Sequence, residues 1–128
     1  MSDQPFLSIV IPMFNEADVI AGLLTQLLGM FASQLPDIRH EILVVDDGSS
    51  DGSAERVAGM GNTAVHLHQH PYNIGNGAAV KTGIRHAQGQ YILLMDADGQ
   101  HKPEDIPRLL EHIDRYDMVV GARTKDSD

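Results

Sequence analysis

Short apolar runs alternate with amphipathic stretches along the chain. The first run, residues 7–11, is continuous and rich in β-branched side chains, which is typical of a strand buried on both faces. A helical stripe follows, in which apolar residues recur from Val19 to Phe31 at spacings of three and four. The alternation continues to the end of the chain and predicts strands at residues 7–11, 42–45, 64–68, 91–95 and 118–120.

Boundary residues place helices between these strands. Asn15 stands where it can cap the first helix, and a short second helix follows the second strand. A third helix is predicted at residues 75–87, with Gly89 as the glycine that follows its end. Pro103 opens a fourth helix at a tolerated position, and Pro107 weakens the first turn of that helix.

This order of elements predicts an α/β fold in one domain, residues 1–128. Alternating strands and helices with short links favour a parallel sheet covered on both faces, a Rossmann-like α/β/α sandwich. Ligands of such folds bind beyond the carboxyl ends of the strands. Polar clusters follow the first, second and fourth strands at residues 12–16, 46–51 and 96–100. We expect them to converge at one edge of the sheet.

The cluster after the fourth strand has the composition of a metal site. If the backbone stays extended, Asp96, Asp98 and Gln100 point to the same side. Hard oxygen ligands at this spacing suit Mg²⁺ or Mn²⁺, which keep coordination positions for water and for ligand phosphates. The structural alternative is a solvated turn in which Asp98 caps a helix.

The cluster after the second strand contains adjacent acids, Asp46 and Asp47. Adjacent side chains point in different directions, so one carboxylate can accept hydrogen bonds from a base or ribose while the other caps backbone donors of the turn. The plain alternative for the end of this cluster is that Ser50 or Asp51 caps the next helix.

Two further segments are candidates for ligand contacts. Pro12 ends the first strand and turns the chain, after which Glu16 either meets a ligand or adds favourable charge at a helix amino terminus. Gly75 and Gly77 make a tight entry to the third helix, where backbone donors can meet an anion. Lys81, one turn inside that helix, is either a ligand contact or a solvated surface residue.

Charge and composition exclude several classes of protein. The formal net charge of -9 argues against a nucleic-acid partner, because phosphate recognition needs clustered Lys and Arg. An anionic ligand is compatible with this charge if the clustered acids hold a divalent cation. There is no cysteine and no apolar run of the ~20 residues that span a bilayer, so we expect a cytoplasmic location.

Three alternating histidines, His66, His68 and His70, share one face if the third strand extends through them. Three imidazoles on one face can bind zinc. Pro71 follows them directly, and this favours instead an exposed strand at the edge of the sheet.

The four motifs PxxNE, DDGSxD, NxGxGxA and DADGQHxPE, in this order, resemble glycosyltransferase family two, the inverting nucleotide-sugar transferases with a GT-A fold. The resemblance runs from Leu7 to Arg123. The segments DADGQHKPED and DMVVGAR look most like the branch of dolichyl-phosphate mannose synthase and its bacterial polyprenyl-phosphate relatives.

The resemblance implies a set of site residues. Asp96 and Asp98, with Gln100, would bind Mg²⁺ or Mn²⁺, and Arg123 would meet phosphate. Phe14 replaces the tyrosine that is common in this branch. The implied nucleotide contacts are Pro12, Phe14, Glu16, Val45, Asp46, Asp47, Lys81, Asp96, Ala97 and Arg123.

The resemblance also implies an activity. A hexose, mannose or glucose, would pass from a GDP- or UDP-sugar to a polyprenyl phosphate at the cytoplasmic face of a membrane. Members of this family continue well beyond the length of this chain, so we expect the acceptor region to lie outside it. A lipid phosphate is already ionised and needs no general base, whereas a hydroxyl acceptor needs a carboxylate in that region.

Two other classes of protein remain open at this point. Gly75, Gly77 and Val80 with Asp96 partly match a dinucleotide-binding motif, although the third glycine is missing and DDGSSD has no role in it. A non-catalytic nucleotide-binding module is compatible with every residue present.

Overall fold

The structure, a computed structural model, describes residues 4–98 and 102–111, and the backbone of residues 118–120. The strands are β1 Leu7–Met13, β2 His40–Asp46, β3 Val65–Gln69, β4 Tyr91–Leu94 and β5 Met118–Val120. The helices are α1 Ile20–Gln34, α2 Ser53–Ala58, α3 Asn76–His86 and α4 Ile106–Leu110, the last preceded by a 3₁₀ turn, Pro103–Asp105. Each predicted strand and helix is present; β5 has the predicted bounds, and the other elements have shifted boundaries.

The strands form one parallel sheet in the order β3-β2-β1-β4-β5. The chain runs outward from β1 through β2 to β3 and then returns to place β4 on the other side of β1. Strand order therefore reverses between β1 and β4, and a crevice opens at such a switch point beyond the carboxyl ends of the strands.

Helices cover both faces of the sheet. Ile9 and Ile11 belong to the apolar cluster that includes Leu24 and other buried residues of α1. Val10, between them, points to the opposite face, where its side chain directly contacts the position of Gly83 in α3. The predicted α/β/α sandwich is thus confirmed.

The first strand does not end at Pro12, as the sequence suggested, but continues to Met13. The Val10 carbonyl accepts from Met95 on the β4 side, and the Met13 carbonyl accepts from Asp47 on the β2 side. Pro12, two residues after Val10, therefore faces the β4 side, where pairing has ended at Leu94. Its missing N–H costs no ladder hydrogen bond, so the proline is tolerated in a central strand.

The predicted cap of α1 by Asn15 is wrong. The N-cap position is Val19, whose N–H bonds to the Glu16 carbonyl in an intervening turn. Asn15 has a φ of 55° and instead joins two loops: its N–H donates to Ser49 Oγ (2.8 Å), and its Oδ1 accepts from the Ser50 N–H (2.9 Å). Asn tolerates this left-handed conformation better than most residues.

Gly89 is not the expected cap of α3 either. Its N–H donates to Ser8 Oγ (2.8 Å), and a Cβ at this position would lie 2.7 Å from the Ser8 nitrogen. Ser8 in turn donates to the buried Glu41 carboxylate at 2.6 Å. Glycine is needed here because the backbone of β1 passes close by, at the opposite end of the sheet from the crevice.

The fourth predicted helix is divided in two. The N–H of Ile106 bonds to the Pro103 carbonyl, which is the tighter 3₁₀ pattern. Pro107 has no N–H to offer that carbonyl in the α-helical pattern, so regular α-helix begins only at Ile106.

Gly48 combines two demands that only glycine meets. Its φ is 78°, and a Cβ there would lie 2.5 Å from the Tyr72 carbonyl carbon and 2.6 Å from the Asn73 nitrogen. The turn after β2 therefore lies directly against the segment that leads into α3. Gly61 has a similar φ of 63° but open space around it.

We predict that Gly48→Ala lowers the free energy of unfolding by about 3 kcal/mol or more, because backbone strain and a backbone clash add. Gly61→Ala, the matched control, should lose only about 1 kcal/mol from the left-handed conformation. Urea denaturation of both variants measures the difference. Equal losses in the two variants would contradict the close packing at Gly48.

Candidate functional site

An open cleft of about 360 Å³ lies at the carboxyl ends of the strands, at the switch point between β1 and β4. Segments after β1, β2 and β4 meet there, as the sequence predicts, and the entry to α3 adds a fourth wall. The lining residues are Pro12, Met13, Phe14, Glu16, Asp47, Asn73, Gly75, Asn76, Ala79, Asp96, Ala97 and Asp98.

Most of the predicted site residues belong to this lining, and some do not. Val45 and Asp46 are buried beneath the cleft, and Lys81 is exposed on α3 away from the lining. Gln100 and Arg123 lie outside the described residues. The residues brought together are Pro12, Phe14, Glu16, Asp47, Asp96, Ala97 and Asp98.

Asp47 accepts three hydrogen bonds at the back of the cleft. Its Oδ1 accepts from His70 Nδ1 at 2.8 Å and from the Ile74 N–H at 3.0 Å. Its Oδ2 accepts from the Gly75 N–H at 2.9 Å, and its own N–H donates to the Met13 carbonyl at 2.8 Å. Only 3% of the Asp47 surface is exposed. Its hydrogen bonds to Ile74 and Gly75 fix the wall of the cleft that the entry to α3 forms.

These bonds determine the protonation of Asp47. Burial alone would raise its pKa, but the hydrogen bonds from His70, Ile74 and Gly75 outweigh burial and leave the pKa below the usual range of an aspartate. The carboxylate is therefore charged at neutral pH. The two N–H groups are directed at this carboxylate, so they are not the anion-binding donors that the glycines suggested.

Asp46 also serves the turn. It is 2% exposed and accepts from the Ser49 N–H at 3.1 Å. The sequence suggested that one acid of the pair contacts the ligand while the other caps the turn. In the structure both carboxylates accept backbone N–H groups, and Asp47 alone also reaches the cleft.

A second link joins this turn to the loop after β1. Asp51 accepts from the N–H groups of Ala17 (3.1 Å) and Ser53 (3.0 Å), and also from the Ser53 hydroxyl. Ser53 Oγ accepts from the Glu16 N–H at 2.9 Å. The N-cap of α2 is Gly52, with a φ of 90°, so Asp51 satisfies the first turn from one residue before the cap.

Like charges face one another at the mouth of the cleft. Burial raises the pKa of Glu16, and the negative charges of Asp98 and Asp51 raise it further. Oxygen is the donor atom that Mg²⁺ and Mn²⁺ prefer, so the acids of this mouth fit such an ion chemically. In the described ranges no three His, Asp or Glu side chains form a metal site by themselves.

The histidines do not form a zinc site within the described part of the chain. The ring of His68 stacks on His86 with centroids 4.1 Å apart, and its pKa is lowered by burial and then by His86 and His66. His70 bonds to Asp47. β3 is at the edge of the described sheet, which confirms the edge-strand interpretation.

Sequence reasoning missed the part that His70 plays in the cleft. Grouping it with two alternating histidines directed attention to metal binding. The available signal was Pro71, which indicates that the strand has ended by His70, so that His70 lies at the same edge of the sheet as Asp47. Asn73 and Asn76, which line the cleft, were also not among the predicted site residues.

With this geometry established, comparison with known proteins identifies the family. Residues 8–128 match the profile of glycosyl transferase family 2, and the chain belongs to that family. This excludes the dinucleotide-binding alternative. The chain is 39% identical, over 94% of its length, to undecaprenyl-phosphate 4-deoxy-4-formamido-L-arabinose transferase of Edwardsiella ictaluri (strain 93-146). It is 37% identical over 95% of its length to dolichol-phosphate mannosyltransferase of Mycosarcoma maydis.

A solved structure shares the fold. The mannosyltransferase PcManGT from Pyrobaculum calidifontis, in complex with GDP-Man and Mn²⁺, superposes with a TM-score of 0.73 and 25% identity. The match covers 88% of this chain and 33% of that one, and it assigns the GT-A fold. The chain spans about two fifths of the two relatives, 38% and 43%. Among the described residues no helix has the length and apolarity to cross a membrane.

We predict that Asp47→Asn lowers the free energy of unfolding at pH 7 by about 3 kcal/mol. The two carboxylate oxygens of Asp47 together accept three hydrogen bonds, and the substitution replaces one of these oxygens with an amide nitrogen, which cannot accept. The folded-state pKa of Asp47 is lowered, so its stabilisation is complete above the unfolded value of about 3.9 and is lost as the pH falls through the folded value.

The difference between wild type and Asp47→Asn should therefore shrink only in acid. Denaturation at several pH values measures this difference, and Asp18→Asn, at an exposed carboxylate, is the control. A difference that stays constant down to pH 2 would be incompatible with a charged, hydrogen-bonded Asp47.

Proposed function

We propose that this chain forms the donor-binding part of an enzyme that transfers a sugar from a nucleoside diphosphate to a polyprenyl phosphate, with inversion and with the help of a divalent metal. The observation that carries the proposal is the grouping of Glu16, Asp96 and Asp98 in one cleft at the switch point of the sheet. Family membership and the acceptors named in both relatives support it.

Asp96 and Asp98 would hold the metal, Mg²⁺ or Mn²⁺, with Gln100. When bound, this ion offsets the negative charge of the diphosphate, both in the ground state and as the sugar leaves. Arg123 would add a second positive charge at the phosphates. The Mn²⁺ bound by the Pyrobaculum mannosyltransferase together with GDP-Man is consistent with this assignment.

The remaining lining would hold the nucleoside and the sugar. Phe14 is 46% exposed at the cleft and offers an apolar ring face to a base. The amides of Asn73 and Asn76 have both donors and acceptors for hydroxyl groups. Pro12 and Ala97 would close the pocket with apolar surface and backbone.

The chemistry needs little from the acceptor side. An ionised phosphate oxygen of the lipid forms the new bond to the anomeric carbon while the bond to the diphosphate oxygen breaks, and the nucleoside diphosphate leaves with that electron pair. No general base is required, since the attacking oxygen carries no proton. The whole protein would act at the cytoplasmic surface of a membrane. The sugar donors to be tested are mannose and glucose linked to GDP or UDP.

We predict that GDP or UDP binds in the presence of Mn²⁺ and that Asp98→Ala weakens this binding at least tenfold, about 1.4 kcal/mol, because one ligand of the ion is removed. Titration calorimetry with and without Mn²⁺ measures the affinity. The control, Asp37→Ala, removes an exposed carboxylate that precedes β2, at the other end of the sheet.

Nucleotide affinity that is indifferent to both Mn²⁺ and Asp98→Ala would contradict the proposed site. A second measurement separates an enzyme from a non-catalytic module. The full-length protein is incubated with labelled GDP-mannose or UDP-glucose and a polyprenyl phosphate. Transfer of label to lipid supports the enzyme, whereas binding of nucleotide without transfer to any offered acceptor favours the module.

A further inference from the structure

His70 links three elements of the molecule at the back of the cleft. It follows β3, its Nδ1 lies 2.8 Å from Asp47 Oδ1, and its Nε2 lies 2.8 Å from Thr82 Oγ1 in α3. Its own N–H donates to the Asp46 carbonyl at 2.8 Å. The side chain is 10% exposed, so water has little access to these contacts.

The carboxylate that His70 contacts is the one that holds the cleft wall. A carboxylate only accepts hydrogen bonds, so Nδ1 of His70 must be the donor in this contact. The Thr82 hydroxyl can either donate to Nε2 or accept from it, so it accommodates the ring that Asp47 orients.

The same Asp47 oxygen accepts from the Ile74 N–H, and the other oxygen accepts from Gly75. Rotation of the carboxylate would weaken both backbone bonds together. Asn73 and Asn76 flank these two residues and line the cleft. The orientation of the Asp47 carboxylate therefore determines where the side chains of Asn73 and Asn76 lie in the cleft.

We propose that His70 is a positioning residue for the nucleotide sugar: by fixing the Asp47 carboxylate it holds the backbone of residues 73–76 in the conformation that meets the donor. This inference rests on the proposed function of the cleft. His70 is absent from the lining of the cleft, so it would not itself contact the nucleotide sugar. Its effect passes through Asp47.

The structural half is tested without nucleotide. Nitrogen NMR of the wild-type imidazole should show that Nδ1 of His70 carries a proton. In His70→Ala the amide resonances of Ile74 and Gly75 should move. They should stay in place in His66→Ala, which removes an exposed histidine of the same strand.

The functional half uses GDP and UDP with Mn²⁺ on the full-length protein. Affinity should fall about tenfold in His70→Ala, as expected when one charge-assisted hydrogen bond is lost. His70→Asn keeps a donor nitrogen at the δ position and should recover most of the affinity. His66→Ala should bind as wild type does. If His70→Ala does not fold, His70→Phe replaces it, since the ring is kept without a hydrogen-bond donor; affinity should then fall in His70→Phe and not in His70→Asn.

Each other outcome decides against the inference. Unmoved amides of Ile74 and Gly75 in His70→Ala show that His70 does not hold the wall. Moved amides with unchanged nucleotide affinity show that the wall does not position the donor. If His70→Asn does not recover the nucleotide affinity, a hydrogen-bond donor at this position is not the property that matters. If wild type itself binds neither nucleotide, the proposed function fails first, and the inference fails with it.

Discussion

The cleft depends on one buried charge, the carboxylate of Asp47. Its main chain is tied to the end of β1 through Met13, and its side chain is tied to His70 after β3 and to the entry of α3. Parallel strands bring their carboxyl ends to one edge but do not by themselves fix the loops that follow. A carboxylate with three donors supplies that constraint, since leaving any of them unpaired in a buried position costs free energy.

This arrangement has an electrostatic consequence for any phosphate ligand. The backbone N–H groups of Ile74 and Gly75, which lead into α3, would ordinarily attract an anion, but Asp47 already occupies these two. The described lining of the cleft contains four acidic side chains and no Lys or Arg: Glu16, Asp47, Asp96 and Asp98. A diphosphate could enter such a cleft only with compensating positive charge. In the proposed function, a divalent ion on the oxygens of Asp96 and Asp98 would provide it.

The sheet and the convergence of the polar clusters could be predicted because they depend on patterns along the chain. Apolar runs identify the strands, and strand order then brings residues 12–16, 46–51 and 96–98 together. Boundaries and caps could not be predicted in the same way, because they depend on partners distant in sequence. Pro12 stays in its strand only because β4 ends beside it, and Asn15 bonds to residues more than thirty positions away.

The acids of this chain look alike in sequence and differ in the structure through their surroundings. Asp46, Asp47 and Asp51 accept backbone N–H groups that hold turns, so most of their bonding capacity serves the fold. Asp98 is exposed at the mouth of the cleft, and its charge, together with that of Asp51, adds to burial in raising the pKa of Glu16. Repulsion of this kind is costly in the free protein and is relieved when a cation binds. In the proposed function, the acids that destabilise the free cleft are therefore the ones that would give it affinity for a metal and its phosphates.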